Sequence, residues 1–234
     1  MSEVLARVRE TRVVPVLRSP TVAVAVDTAR ALARGGMRVI ELTFSTPGVL
    51  DAIRELTADP HLLVGAGTVM TPDQAEDAVE AGARFLVSPV WLPWLPALAR
   101  ELSVEAIPGS ASPSEIWQAH IAGAAAVKVF PIARLGGAAY IRDLLAPMPQ
   151  LTLMATGGVD LDGARQLLAA GCAAVGVGTI TTGDDKHLPA EERARRFLRA
   201  IETQETEGGP APKRRGGSNE PNHKDAERPA EPRD

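Results

Sequence analysis

Short apolar runs alternate with longer amphipathic segments along most of the chain. Each run is bounded by Gly, Pro or charged residues, which is the pattern of a strand buried on both faces. The segments between the runs carry apolar residues at helical spacing, and several of them end at a glycine, a helix-stop signal. Strands are predicted at 13–17, 38–43, 62–65, 84–87, 104–107, 125–130, 151–155 and 173–177. Helices are predicted at 1–10, 20–35, 47–58, 72–81, 94–102, 113–122, 137–146, 161–170 and 189–203, with Pro47 in the first turn of the third.

After the short N-terminal helix, eight strands alternate with eight helices, and this alternation predicts βαβ units and a parallel sheet. Eight such units in about 200 residues match the size of a compact (β/α)8 TIM barrel, which is the fold that we expect for residues 1–203. An open, doubly wound sheet is the competing fold. We disfavour it because no strand-to-helix turn carries a GxGxxG fingerprint followed by an acidic residue.

The composition changes after residue 203. Residues 204–234 are rich in Gly, Pro, Lys, Arg, Glu and Asn, and large apolar side chains are missing. Such a segment cannot bury enough surface to offset its ordering entropy, so we expect a disordered C-terminal tail. We interpret the basic cluster Lys213–Arg215 within this tail as solvated.

Composition also narrows the classes of function. Of the 234 residues 45% are hydrophobic, and the net charge of −4 indicates neither a nucleic-acid partner nor a membrane-surface partner. No apolar stretch is long enough for a membrane helix, and the first residues lack a signal-peptide core. The single cysteine, Cys172, excludes an intrachain disulfide, fits the cytoplasm and is expected to be a small buried hydrophobe. The four histidines show no metal-ligand spacing, so no metal site is expected.

One apolar run, Ala125–Pro131, contains a lysine. Strand alternation places Lys128 and Phe130 on one face and the two valines between and before them on the other. Burying an unpaired ammonium is costly, because a low dielectric disfavours the charged form and lowers the pKa of the amine. A neutral amine can attack a ketone and form an imine. The alternative is that Lys128 caps the strand end and extends its charge to water.

A second charged residue, Glu41, lies inside another predicted strand. The nearby Arg38 has the opposite parity and points to the other face of that strand, so an ion pair between the two is disfavoured. Glu41 and Lys128 can both face the interior of a barrel. A carboxylate near a lysine in a dry barrel mouth is typical of an acid/base catalyst paired with a nucleophile, and this favours a catalytic role for Lys128.

The chemistry of a TIM barrel is located at the C-terminal ends of its strands. Polar residues stand at or just beyond several of these ends: Arg18, Thr43, Thr68, Ser88 and Thr156. Two glycine-rich turns, Thr156-Gly157-Gly158 and Gly176-Val177-Gly178-Thr179, follow the seventh and eighth strands. Barrels often bind phosphate through backbone N–H groups in these two turns, because glycine lets the backbone approach an anion closely. The pair of turns therefore predicts a phosphate site.

Taken in order, seven motifs resemble those of one enzyme family. The motifs are Val14-Pro15-Val16-Leu17-Arg18, Ile40-Glu41-Leu42-Thr43, Val64-Gly65-Ala66-Gly67-Thr68-Val69, Val87-Ser88-Pro89, Ile107-Pro108-Gly109, Val127-Lys128-Val129-Phe130-Pro131 and Ala155-Thr156-Gly157-Gly158-Val159. They are similar to those of the bacterial 2-keto-3-deoxy-6-phosphogluconate (KDPG) aldolases, which also act as 4-hydroxy-2-oxoglutarate (KHG) aldolases. The resemblance runs from about residue 10 to 202 and leaves out the tail.

This resemblance implies a Schiff-base lyase without metal or organic cofactor, which acts on a small keto-acid sugar phosphate and forms a homotrimer. Lys128 is then the residue that forms the imine, and Glu41 is the general acid/base. The other implied site residues are Arg18, Thr43, Thr68, Pro89, Phe130 and Thr156 for the substrate, and Gly157, Gly158, Gly178 and Thr179 for its phosphate. The sequence departs from the family at Ser45, where some members carry an arginine for the anionic group of the substrate. Arg18 is the expected replacement.

The implied reaction is the cleavage of KDPG to pyruvate and glyceraldehyde 3-phosphate, with KHG as a second substrate. Cleavage of the phosphogalactonate epimer is an alternative. A second alternative is a sugar-phosphate isomerase or epimerase, in which Glu41 is the base and Lys128 stabilises charge. A third is a catalytically silent barrel that binds a sugar phosphate. We interpret the apolar turn around Trp91 and Trp94 as local packing, with a trimer contact or a pocket lid as alternatives.

Overall fold

Strands and helices alternate along the chain. The structure is a computed structural model, and it describes residues 2–178, 180 and 187–207. The strands are β1 (Val13–Leu17), β2 (Val39–Thr43), β3 (Leu63–Gly67), β4 (Phe85–Val87), β5 (Glu105–Ile107), β6 (Gly109–Ser110), β7 (Val127–Val129), β8 (Leu153–Thr156) and β9 (Ala174–Val177). The helices are α1 (Glu3–Thr11), α2 (Val22–Arg34), α3 (Val49–Leu56), α4 (Pro72–Glu80), α5 (Leu95–Glu101), α6 (Pro113–Ile121), α7 (Ile132–Leu135), α8 (Ala138–Leu145), α9 (Leu161–Ala169) and α10 (Ala190–Glu207). None of the described helices is long and apolar enough to cross a membrane.

The strands form a parallel barrel. Their order is β5-β4-β3-β2-β1-β9-β8-β7-β6, and its two ends, β5 and β6, are separated in the chain by Pro108 alone. Backbone hydrogen bonds from Ala125 N to Ala106 O (3.0 Å) and from Lys128 N to Pro108 O (2.9 Å) join β5 and Pro108 to β7 and the residues before it, which closes the ring. The predicted (β/α)8 barrel is therefore confirmed. The ninth strand arises because Pro108, which has no N–H, separates β6 from the fifth predicted strand.

Alternation along the strands sorts the apolar side chains into two cores. The larger core lies between the sheet and the helices and includes Ile40, Leu42, Val127 and Val129. The smaller core fills the barrel and consists of Val4, Val8, Val14, Val39, Leu63, Phe85, Val87, Ile107, Ala126, Met154 and Ala174. Because Val4 and Val8 belong to α1, this helix closes the N-terminal end of the barrel. The polar residues of the interior lie toward the opposite end.

Most helix starts follow from local sequence, and one does not. Thr71 and Asp160 cap α4 and α9 through their side chains. By contrast, α3 begins at Val49, because Gly48 has a left-handed φ of 70° that is incompatible with the helix. The prediction that Pro47 lies in the first helical turn was therefore wrong. At the other end of the chain, α10 continues to Glu207, past its predicted end at residue 203, and residues 208–234 lie outside the described part of the chain.

The capping box of α6 makes a pH-dependent contribution to stability. Glu115 Oε2 accepts hydrogen bonds from Ser112 N (2.8 Å) and Ala111 N (3.0 Å), and Ser112 Oγ accepts from Glu115 N. These backbone donors lower the pKa of Glu115. A lowered pKa stabilises the fold above the pKa of the unfolded chain, and this stabilisation is lost as the pH falls through the folded value.

We expect Glu115→Gln to lower the free energy of unfolding by about 1 kcal/mol at neutral pH, because the amide oxygen still accepts these backbone hydrogen bonds but without the negative charge that strengthens them. Urea unfolding measures the difference, and it should shrink toward zero in acid, where Glu115 itself is protonated. Glu76→Gln, an exposed carboxylate on α4, is the matched control. A loss of equal size at neutral and acid pH would contradict the assignment.

Cys172 is a buried part of the larger core, as its sequence context predicts. Burial raises the pKa of its thiol to about 12, so the nucleophilic thiolate is scarce at any physiological pH. We expect no reaction of the native protein with a thiol reagent such as DTNB at mildly alkaline pH, and full reaction once denaturant is added. Absorbance of the released thiolate measures both, and rapid native labelling would contradict the burial.

Candidate active site

Lys128 and Glu41 extend from opposite sides of the barrel and meet inside it. With β5 and β6 counted as one, three strands separate β2 from β7 in either direction around the ring. Lys128 Nζ lies 3.2 Å from Glu41 Oε1, and the two side chains are 7% and 0% exposed. The inward direction of Lys128 follows from Ala126, two residues earlier, which belongs to the inner core. The prediction that both charged residues face the interior is confirmed.

The buried pair combines an amine with a base. At 3.2 Å the carboxylate can take a proton from the amine and return it without any rearrangement of the backbone. The second oxygen of Glu41, Oε2, is buried and has no hydrogen-bond partner among the described residues. The ring of Phe130 lies 5.7 Å from Lys128 Nζ and shields it on one side. This arrangement supplies a nucleophile, a proton acceptor and a further acceptor oxygen in one dry space.

Glycines in the strands make room for these polar side chains. A Cβ at Gly67 would overlap the carboxylate of Glu41, and a Cβ at Gly176 would overlap the hydroxyl of Thr156. Likewise, a Cβ at Gly109 would overlap the backbone of Pro89. Sequence reasoning gave no role to Gly67 or Gly109. The signal was available, because an isolated glycine within a strand often marks a close approach.

The residues at the ends of β7 and β8 lie together. Met154 pairs with Lys128, and Thr156, two residues further along β8, is on the same inner face and is buried. Its hydroxyl oxygen has no hydrogen-bond partner among the described residues. The ring of Phe130 lies where a Cβ at Gly157 would be crowded, so the predicted aromatic wall and the first glycine turn are in contact.

The first glycine turn begins at Thr156, the last residue of β8, and the second begins within β9 and is described as far as Gly178. Gly157 and Gly158 have φ angles of 99° and 72°, a conformation that favours glycine and leaves the backbone accessible. Ala133 of α7 donates its backbone N–H to Gly157 O (3.1 Å), which ties this turn to the segment after the lysine strand. Gly178 follows β9 and is exposed. Thr179, also expected to contact phosphate, lies outside the described residues.

The loops after β3 and β4 form the next part of the rim. Thr68 has a φ of 59°, a strained conformation for a β-branched residue. Strain of this kind is concentrated at functional sites, and the sequence gave no indication of it. Ser88 Oγ accepts from Gly109 N (3.2 Å) and donates to Val90 O (2.7 Å), which holds the turn containing Pro89. Trp91 and Trp94, beyond this turn, pack partly buried against the larger core, in agreement with the local-packing interpretation.

Arg18 and Thr43 meet at Ser45. Arg18 is exposed at the end of β1, and its Nε donates to Ser45 Oγ at 2.8 Å. The Thr43 hydroxyl is buried, donates to Leu17 O (3.1 Å) and lies 2.7 Å from Ser45 Oγ. The guanidinium of Arg18 therefore reaches the residue at which the sequence departs from the family pattern. The hydroxyl of Thr43 is engaged inside the protein.

In the described ranges, no group of three or more His, Cys, Asp or Glu side chains is arranged to hold a metal ion. The fold and the site define a (β/α)8 barrel of the class that holds a buried lysine against a carboxylate in its interior. Comparison with known families is consistent with this class. The aldolase family described as KDPG and KHG aldolase matches residues 4–195, and the chain belongs to this family.

Individual relatives carry the same names. A 2-dehydro-3-deoxy-phosphogluconate aldolase of Treponema pallidum is 42% identical over 170 residues, which are 71% of this chain and 79% of the relative. An aldolase of the same name from Haemophilus influenzae is 38% identical over 168 residues, again 71% and 79% of the two chains. Among solved structures, the KDPG aldolase of Legionella pneumophila with pyruvate captured as a covalent carbinolamine superposes with a TM-score of 0.76 at 31% identity, and covers 86% of this chain and 98% of its own.

Proposed function

We propose that this protein is a class I aldolase that cleaves KDPG to pyruvate and glyceraldehyde 3-phosphate through an imine on Lys128, and that it also accepts KHG. The observation that carries the proposal is the buried contact of Lys128 Nζ with Glu41 Oε1 at 3.2 Å. The names of the relatives, and the covalent pyruvate intermediate named for the Legionella enzyme, support it. The phosphogalactonate epimer is the alternative substrate of the same chemistry.

The proposed mechanism follows the movement of electrons and protons. Glu41 takes a proton from the Lys128 ammonium, and the neutral amine attacks the C2 ketone. The same proton then leaves with the carbinolamine hydroxyl as water, which gives a protonated imine and returns Glu41 to the carboxylate. Glu41 removes the proton of the C4 hydroxyl through a water molecule, and the C3–C4 bond breaks. The electron pair of that bond moves into the iminium, which leaves an enamine of pyruvate and a free aldehyde. Protonation of the enamine at C3 and hydrolysis of the imine release pyruvate and regenerate Lys128.

The rim residues fit the two ends of such a substrate. We assign the pyruvate-derived end to Arg18, Thr68 and Thr156. The hydroxyl of Thr156 supports this assignment, because it has no hydrogen-bond partner within the described part of the chain and lies on β8, next to the strand of Lys128. Pro89 and Phe130 shape the walls of the pocket. The substrate phosphate is assigned to Gly157, Gly158, Gly178 and Thr179, because two of these glycines have left-handed φ angles and follow β8 of the barrel. Thr43 contributes indirectly, because its hydroxyl contacts Ser45 rather than the substrate.

The same proposal includes the biological setting. We infer a cytoplasmic enzyme that acts on a small keto-acid sugar phosphate and assembles as a homotrimer. Large apolar residues of the described surface, among them Met70 (43% exposed) and Val90 (46% exposed), lie on the loops after β3 and β4 and are candidates for the contact between subunits. Light scattering of the eluting protein tests the trimer, and a monomeric mass would exclude it.

Borohydride reduction in the presence of pyruvate tests the function directly. A Schiff base is reduced to a stable secondary amine, so peptide mass spectrometry should find a carboxyethyl group on Lys128. Pyruvate release from KDPG and from its C4 epimer, coupled to lactate dehydrogenase, then identifies the preferred substrate. Cleavage without an adduct on Lys128 would exclude the imine mechanism. Neither cleavage nor adduct would favour a barrel that only binds its ligand.

A further inference from the structure

We propose that Ser45 is a positioning residue that holds the guanidinium of Arg18 so that its two terminal nitrogens bind the carboxylate of the 2-oxo acid. This inference rests on the proposed function, because it assigns a subsite of the same reaction. Its starting point is the contact of Arg18 Nε with Ser45 Oγ at 2.8 Å.

The hydrogen bonds around Ser45 have a fixed direction. The hydroxyl of Thr43 has a single proton, which is donated to Leu17 O at 3.1 Å. The contact between Thr43 Oγ1 and Ser45 Oγ, at 2.7 Å, therefore has Ser45 as the donor. With its own proton committed in this way, Ser45 Oγ presents a lone pair, and Arg18 Nε–H donates to it. A backbone carbonyl thus orients two hydroxyls, and the second of them orients the guanidinium.

This orientation decides which edge of the guanidinium is available. An arginine can bind a carboxylate bidentately through Nη1 and Nη2 or through Nε and one Nη. Since Nε is engaged by Ser45, the Nη1–Nη2 edge remains, and neither of these nitrogens has a partner among the described contacts. Two parallel N–H groups at this edge match the two oxygens of a carboxylate.

The register of the strands places this edge above the reacting groups. Val16 pairs with Glu41 and Leu17 with Leu42, so Arg18 stands beside Thr43, one inward-facing position above Glu41. One such step along a strand is about 6.6 Å, a gap that the long side chain of an arginine can span toward the reacting groups. The carboxylate of a 2-oxo acid is attached to the carbonyl carbon itself.

The contact with Ser45 also favours the carboxylate over the phosphate as the ligand. β1 lies between β2 and β9 in the barrel. Ser45 belongs to the loop after β2, so it draws the guanidinium toward that side. The glycine turns assigned to phosphate follow β8 and β9, on the other side of β1. An arginine without the Ser45 contact would be able to turn toward either side.

A second bond between the same two loops offers a matched control. Ser19 N donates to Thr46 Oγ1 at 3.0 Å, and both residues are buried. Thr46→Val keeps the shape of the side chain and removes this bond without touching Arg18. This variant shows how the loss of a hydrogen bond between the two loops affects substrate binding when Arg18 and Ser45 are unchanged.

The experiment compares Ser45→Ala, Ser45→Thr, Thr46→Val and Arg18→Ala, together with the double variant R18A/S45A, in two assays. One assay is steady-state cleavage of KDPG, and the other is the pyruvate concentration that gives half-maximal borohydride trapping on Lys128. Pyruvate has a carboxylate and no phosphate, so the trapping assay isolates the carboxylate contact. Melting temperatures monitor the fold of each variant.

We expect Ser45→Ala to raise both the KM for KDPG and the half-maximal pyruvate concentration about tenfold, with kcat changed less than about twofold, as for a lost hydrogen bond to a charged group. Arg18→Ala should raise both values about 100-fold, and adding Ser45→Ala to it should change nothing further, because Ser45 acts through Arg18. Ser45→Thr, which keeps the hydroxyl at an exposed position, should restore values near those of the parent. Thr46→Val should lower the melting temperature and leave both values within about twofold of the parent.

Three results would overturn the inference. Additive effects of Arg18→Ala and Ser45→Ala would show that Ser45 does not act through Arg18. A higher KM for KDPG with unchanged pyruvate trapping would move the Arg18 contact to the phosphate. Equal effects of Thr46→Val and Ser45→Ala would reduce Ser45 to a link between loops. If the unsubstituted protein gave neither cleavage of KDPG nor a pyruvate adduct, that result would refute the proposed function itself.

Discussion

Replacement of Lys128 by Met is expected to lower kcat/KM for KDPG cleavage by at least about 10⁴-fold, because no other group in the site can form the imine. Lys128→Arg is the companion variant, since arginine keeps the positive charge beside Glu41 and cannot act as an amine nucleophile at neutral pH. Both variants should lose the borohydride-trapped pyruvate adduct. Cleavage that persists in either one would exclude Lys128 as the nucleophile.

The stability of the Lys128 variants must be measured alongside their activity. Lys128→Met leaves the fully buried carboxylate of Glu41 without its cation, and breaking a buried pair in this way costs about 3–5 kcal/mol. The double variant K128M/E41Q removes the unpaired charge and should recover much of that loss, while remaining inactive. Denaturant unfolding of the single and double variants separates a catalytic loss from a folding loss.

The second large effect is expected for Glu41→Gln. An amide at this position cannot accept a proton, so we expect kcat to fall by about 10²–10⁴-fold, the usual range for a general acid/base. Lys128 remains present in this variant, so the pyruvate adduct should still form on prolonged incubation with borohydride, at a lower rate. Stopped reactions analysed by mass spectrometry measure both quantities.

Glu105→Gln is the matched control for this variant. It changes a carboxylate on another barrel strand, β5, and should leave kcat within about twofold, the range expected for a group outside the site. If Glu41→Gln were as active as Glu105→Gln, then Glu41 would be a structural partner of Lys128, and the proton transfers would need another group.

Local sequence was sufficient to predict the orientation of the two reacting residues. The side-chain period of a strand is two residues and does not depend on the rest of the fold, so the parity of Lys128 and Glu41 within their apolar runs already allowed both to face the interior. Helix starts at Thr71 and Asp160 were predictable for the same reason, because a cap is a contact within a few residues.

Local reasoning was less successful where backbone geometry depends on distant contacts. The later start of α3 follows from the left-handed φ of Gly48. The positive φ of Thr68 could not be expected from its residue type, because threonine rarely adopts this conformation. The extra strand β6 exists because Gly109 and Ser110 find pairing partners in β7. Of these features, the pairing of β6 with β7 joins segments that are far apart in the sequence, so a window of a few residues does not contain it.

The sequence by itself determined the alternation of elements, the direction of the side chains along each strand, and the kinds of chemical group that the barrel mouth contains. Only the tertiary structure decided that Lys128 and Glu41 meet at 3.2 Å, that Gly67 and Gly109 leave the space that their neighbours fill, and that Ser45 holds Arg18. The reason is physical. Periodicity and capping are short-range properties of the chain, whereas distances between strands far apart in sequence depend on how the sheet curves and closes into a ring.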